Sequence, residues 1–86
     1  MEYILVFEDT NRAMKAERLL LSNKLHVGAL PLPDEISSGC GICLRVGAES
    51  IDVALRVLSE SDMTGTTVYV RREVEGQIEY QKSGGC

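Results

Sequence analysis

Two cysteines spaced Cys-x-x-Cys, Cys40 and Cys43, sit in the segment PLPDEISSGCGICLRV (residues 31–46), and a third, Cys86, stands at position 86. Thiols of this kind serve as nucleophiles, as disulfide partners, as metal ligands or as small buried filler. An odd count in a reducing compartment does not describe a disulfide scaffold, which leaves the other uses open. Cys40 lies between Gly39 and Gly41, so little side-chain bulk shields it. Glycines permit positive φ, and successive N–H groups along Ser37, Ser38, Gly39 and Gly41 would form a concave site favouring a thiolate or persulfide anion. Asp34 and Glu35 oppose a negative sulfur, and Arg45 is the nearest cation in sequence. The plainer alternative for Cys40 is a buried residue at a strand start. It shares parity with Ile42, Leu44 and Val46, and free cysteine is among the most buried residue types.

Cys43 falls inside the apolar run ICLRV, whereas the redox form of Cys-x-x-Cys opens a helix whose dipole activates the first thiol. If residues 40–43 are fully extended, the two side chains diverge and no disulfide closes; a turn at Gly41 would change that. Cys43 is therefore a resolving thiol, a second reactive thiol or filler. A zinc ion would want four ligands. Cys40, Cys43 and His26 supply three, with Cys86 as a fourth, and nothing in their spacing fixes a tetrahedron, so no metal and no other cofactor is expected. Cys86, on SGGC, is either an auxiliary thiol tethered near its own domain or the end of a disordered tail.

The elements that must hold these residues alternate in a readable way. EYILV is nearly continuous in apolar residues and reads as a central strand. Thr10 offers a helix cap, and Ala13, Ala16 and Leu20 recur at helical spacing through NRAMKAERLLLSN. KLHVGALPL is a second strand, closed by Pro31 and Pro33. ICLRV is a third, with Ile42, Leu44 and Val46 on one face and Cys43 and Arg45 on the other. Ser50 caps a second helix in which Ile51, Ala54, Leu55 and Leu58 form one stripe. Thr66–Arg71 is a fourth strand, and Gln77–Gln81 a fifth, turning at Glu75-Gly76, with Tyr69 and Tyr80 placed to pair across the hairpin. The order β-α-β-β-α-β predicts an α+β, ferredoxin-like sandwich: two helices on one face of an antiparallel sheet, with an extra C-terminal strand. It forms a single domain over residues 1–82, followed by a flexible tail at 83–86.

The bulk composition narrows the function. Eighty-six residues, 44% hydrophobic and 26% charged, suit one small soluble domain. A net charge of −4 argues against nucleic acid, which is bound through Lys and Arg. No run is long enough to span a membrane and no signal peptide is evident, so a cytoplasmic location is expected.

The opening strand, the helix with Ala13, Ala16, Glu17 and the leucines after them, the loop P-x-P-x-x-I-S-S and the sequence C-G-x-x-L-R (Cys40, Gly41, Leu44, Arg45) resemble a small bacterial family of selenium/sulfur carrier-like proteins. The resemblance covers roughly residues 3–60. Gly39 stands where that family often carries Ser. The resemblance implies a carrier or relay rather than a free-standing enzyme, holding sulfur or selenium on Cys40 as a persulfide or selenosulfide. Cys43 and Cys86 are then auxiliary thiols, and the expected partner is a cysteine desulfurase or another selenium- or sulfur-handling protein. Two other readings stand beside it: a binding or regulatory module that pairs as a homodimer through its sheet, and a thiol redox switch.

Overall fold

Strand β1 (Glu2–Val6) is the centre of a five-stranded sheet, and Ile4, Leu5 and Val6 are buried on both of its faces. After it come α1 (Thr10–Ser22), β2 (Val27–Pro31), β3 (Ile42–Gly47), α2 (Ile51–Glu60), β4 (Thr67–Val74) and β5 (Gln77–Gly85). The sheet order is β2-β3-β1-β4-β5 and every neighbouring pair is antiparallel. This is the ferredoxin-like arrangement with one strand added beyond β4. The computed structural model describes residues 1–36, 39–63 and 65–85.

Period-2 alternation divides the sheet between two buried clusters. On the helix side, Leu5, Leu44, Val46 and Val68 pack against Ala13, Ala16 and Leu20 of α1 and Ile51, Ala54 and Leu58 of α2. On the open side, Ile4, Val6 and Cys43 form a smaller cluster. No helix covers it. Ile36, from the connection between β2 and β3, and the partly buried Leu30, Leu32, Tyr69 and Tyr80 pack there instead.

Several local expectations are corrected. The cap of α1 is Asp9, not Thr10: the Asp9 backbone is extended, as a cap requires, and its carboxylate accepts the Arg12 N–H at 2.8 Å. Thr10 becomes the first helical residue. Ser50 precedes α2 but makes no side-chain capping bond, since its own backbone is already helical. Strand β2 begins only at Val27, after the left-handed turn residue Lys24.

In the β4–β5 hairpin Tyr80 faces Arg71 and Tyr69 faces Lys82, so the two tyrosines are not direct cross-strand partners. The turn falls at Glu75-Gly76, both in the left-handed region that a two-residue hairpin turn demands. Strand β5 is longer than its side chains suggested: Gly84 pairs with Val68 and Gly85 with Thr67, past an irregularity at Val68/Tyr69. Backbone pairing needs no side-chain pattern, so the ladder takes up most of the segment expected as a tail. Cys86 lies outside the described residues.

Candidate thiol site

Three connections meet where β1 gives way to α1. The approach is close enough that a Cβ on Gly39 would lie 2.5 Å from the Glu8 carbonyl oxygen, and one on Gly65 would lie 2.6 Å from the Glu8 carboxylate. Gly65 also has φ +81°, so a side chain there would be strained as well as crowded. A cavity of about 290 Å³ lies beside this junction, lined by Val6, Glu8, Gly39, Gly65, Thr67 and Tyr69.

Cys40 follows Gly39 directly and turns inward, on the helix side. Its side chain is only 2% exposed and belongs to the cluster that holds Phe7, Ala13 and Leu44. The flanking glycines are exposed, yet the thiol is not. Parity with Ile42 and Leu44 carries it under the start of α1, which corrects the expectation of a thiol open to solvent. The sulfur donates to the Ile42 carbonyl at 3.0 Å and lies 4.0 Å from the Thr10 hydroxyl. Because Thr10 opens α1, the sulfur sits beside the N-terminal end of that helix.

Cys43 is fully buried on the opposite face, in the cluster with Ile4, Val6 and Ile36. Its sulfur lies 3.8 Å from the Pro31 carbonyl. Burial, and secondarily the neighbouring Cys40, pushes its pKa upward. The two thiols lie in different buried clusters on opposite sides of the sheet, and neither is in a disulfide. A Cys40–Cys43 disulfide does not form from this arrangement. Gly41, the residue on which a closing turn depended, does not adopt the left-handed conformation.

The remaining candidates are dispersed or undescribed. Ser37, Ser38 and Cys86 lie outside the described residues. Arg45 does not approach Cys40; it shares the open face with Cys43 and pairs with Glu2 at 3.4 Å. Glu2 also accepts from Arg71 at 2.7 Å. Hydrogen bonding with Tyr80, then the Glu2 carboxylate, holds the Arg71 guanidinium charged above its ordinary range. His26 is exposed at the edge of a second basin with Glu2 and Arg45. Among the described residues, no three His, Cys, Asp or Glu side chains converge to hold a metal. The sequence reading missed Thr10 as a neighbour of the sulfur, because its hydroxyl was assigned to capping. Only the displacement of the cap to Asp9 frees it.

Fold and site together define an α+β, ferredoxin-like domain with a cysteine seated beside the first helix. Residues 2–70 match the family described as "Putative Se/S carrier protein-like", and the chain belongs to that family. The match ends within β4, so β5 lies beyond it. No curated protein and no solved structure matches the chain.

Proposed function

We propose that the protein carries sulfur or selenium on Cys40 as a persulfide or selenosulfide, relaying it between a donor of the cysteine desulfurase type and an acceptor. The observation that carries the reading is the position of the Cys40 sulfur at the start of α1, 4.0 Å from the Thr10 hydroxyl, in a chain whose family is described as carrier-like. Loading is an exchange without net oxidation. The Cys40 sulfur attacks the outer sulfur of a donor persulfide R–S–SH. The new S–S bond forms as the donor's breaks, and the donor leaves as R–SH with the proton Cys40 gave up. Delivery reverses this on an acceptor thiol. The protein is then a carrier rather than an enzyme in its own right, working in the reducing cytoplasm with protein partners rather than nucleic acid. No helix among the described residues is long and apolar enough to cross a membrane.

Incubation with a desulfurase and labelled cysteine tests the proposal. Intact mass rises by one sulfur on the wild type and not on Cys40→Ser; an equal gain on Cys40→Ser defeats the assignment. A second reading draws on the burial of both thiols, at 2% and 0% exposure. In it the domain is a binding module, alone or as a homodimer, whose cysteines fill its core. Unchanged partner binding after removal of all three thiols, together with no sulfur uptake by the wild type, supports that reading over the carrier.

A further inference from the structure

Cys40 is buried with its thiol bonded to the Ile42 carbonyl, and from this we infer that loading itself turns the side chain out of the core, so that the empty carrier is closed and the charged carrier open. The inference rests on the reading of Cys40 as the carrier residue.

Two features of the seat carry it. The first is the hydrogen bond to the Ile42 carbonyl, 3.0 Å from Sγ. That bond needs the S–H proton. Once a second chalcogen is bonded to Sγ, the proton is gone, and the sulfur and carbonyl lone pairs face each other at the same short distance. An attraction becomes a repulsion. The second feature is space. The side chain is 2% exposed within a close-packed cluster. A bonded sulfur or selenium adds more volume than a methylene, and packed cores resist even one added methylene.

The surroundings supply a way out. A Cβ on Gly41 would meet nothing within 4 Å, so on that side the Cys40 side chain has open space to swing into, while Gly39, packed on the Glu8 carbonyl, and the Gly41 carbonyl, bonded to the Leu32 N–H, hold the ends of the turn. Thr10 lies 4.0 Å from the sulfur at the positive end of α1, placed to donate to an anionic outer atom as it leaves the Ile42 carbonyl. The unloaded thiol thus reacts only through transient openings of its seat, and the loaded one is presented to its acceptor.

Methyl methanethiosulfonate tests this without a donor protein. The Cys40 sulfur attacks the methylthio sulfur, methanesulfinate leaves, and Cys40 carries –S–CH3, an added sulfur with no proton on Sγ. In the Cys43→Ala/Cys86→Ser variant Cys40 is the sole thiol, and amide hydrogen exchange over residues 36–44 is followed before and after modification. Exchange there should accelerate by roughly tenfold or more and return to its original rate on reduction, with α2 unchanged. Cys40→Ser, which keeps a small donor against the Ile42 carbonyl, should keep the slow exchange. Unchanged exchange in the modified protein overturns the inference, as does equal acceleration in Cys40→Ser. If the double variant does not fold, wild-type protein modified and peptide-mapped at Cys40 gives the same comparison. A desulfurase that fails to load Cys40 counts against the carrier reading and leaves the exchange result standing, so the two failures are distinguishable.

Discussion

Cys40 and Cys43 are three positions apart yet buried on opposite sides of the sheet, Cys40 just before β3 and Cys43 within it. Cys43 is fully buried. Burial raises its pKa, so the folded protein keeps the thiol proton at alkaline pH where the unfolded chain gives it up. The stability this contributes is complete below the ordinary thiol pKa and is lost as pH rises through the higher folded value. The urea midpoint of the wild type should therefore fall between neutral and alkaline pH more steeply than that of Cys43→Ala. Parallel curves for the two proteins would remove the case for a buried, proton-holding Cys43. Gly39 shows the same dependence on remote neighbours. Its role is set less by its own freedom than by the Glu8 carbonyl, 2.5 Å from where a Cβ would stand.

At the scale of elements, α1 both orients the site and anchors it. Asp9 closes the helix N-terminus through the Arg12 N–H, and Arg12 also approaches Asp9 and Glu8 at 3.6 and 3.5 Å. These ion pairs are about half exposed and contribute little beside the cap. Asp9→Ala should lower stability by about 1 kcal/mol in chemical denaturation, the usual loss for a cap, and loosen the helix turn that carries Thr10. A change within error would mean that Thr10 caps after all. Element order and facing were legible in the sequence, because the alternation in ICLRV and the stripe Ile51, Ala54, Leu58 each allow one buried side. The depth of Cys40 was only half legible. Parity with Ile42 and Leu44 pointed inward and the flanking glycines pointed to access, whereas the burial is made with α1, distant in sequence. The reach of β5 through Gly84 and Gly85 was illegible for a related reason: glycines carry no pattern, and the pairing is made by backbone alone.

For the molecule as a whole, the question is what closes the side of the sheet that the helices leave bare. Ile4, Val6 and Cys43 are buried there, and among the described residues no third layer of helices or strands lies above them. The cover is assembled from two pieces. One is the β2–β3 connection, where the Leu32 N–H bonds to the Gly41 carbonyl at 3.1 Å, the Ile36 N–H bonds to the Pro33 carbonyl at 3.0 Å, and Ile36 is 4% exposed. The other is the β4–β5 hairpin, which brings Tyr69 and Tyr80. Only the first lies wholly within the family match, so the P-x-P-x-x-I pattern has a packing role independent of thiol chemistry. Ile36→Ala separates the two roles. Truncating the side chain removes buried apolar surface over Cys43 and should cost about 2 kcal/mol, the low end for Ile→Ala because the loop can settle into the gap. The labelling rate of Cys43 by a neutral maleimide should rise under native conditions, while the partners of the Cys40 sulfur, Ile42 and Thr10, stay in place on the far face. Sulfur uptake by Cys40 should then persist at a rate near that of the wild type. If instead Ile36→Ala leaves Cys43 protected, the open face is covered by something other than this loop. If it abolishes uptake by Cys40 without unfolding the protein, the two faces are coupled through the connection that joins them.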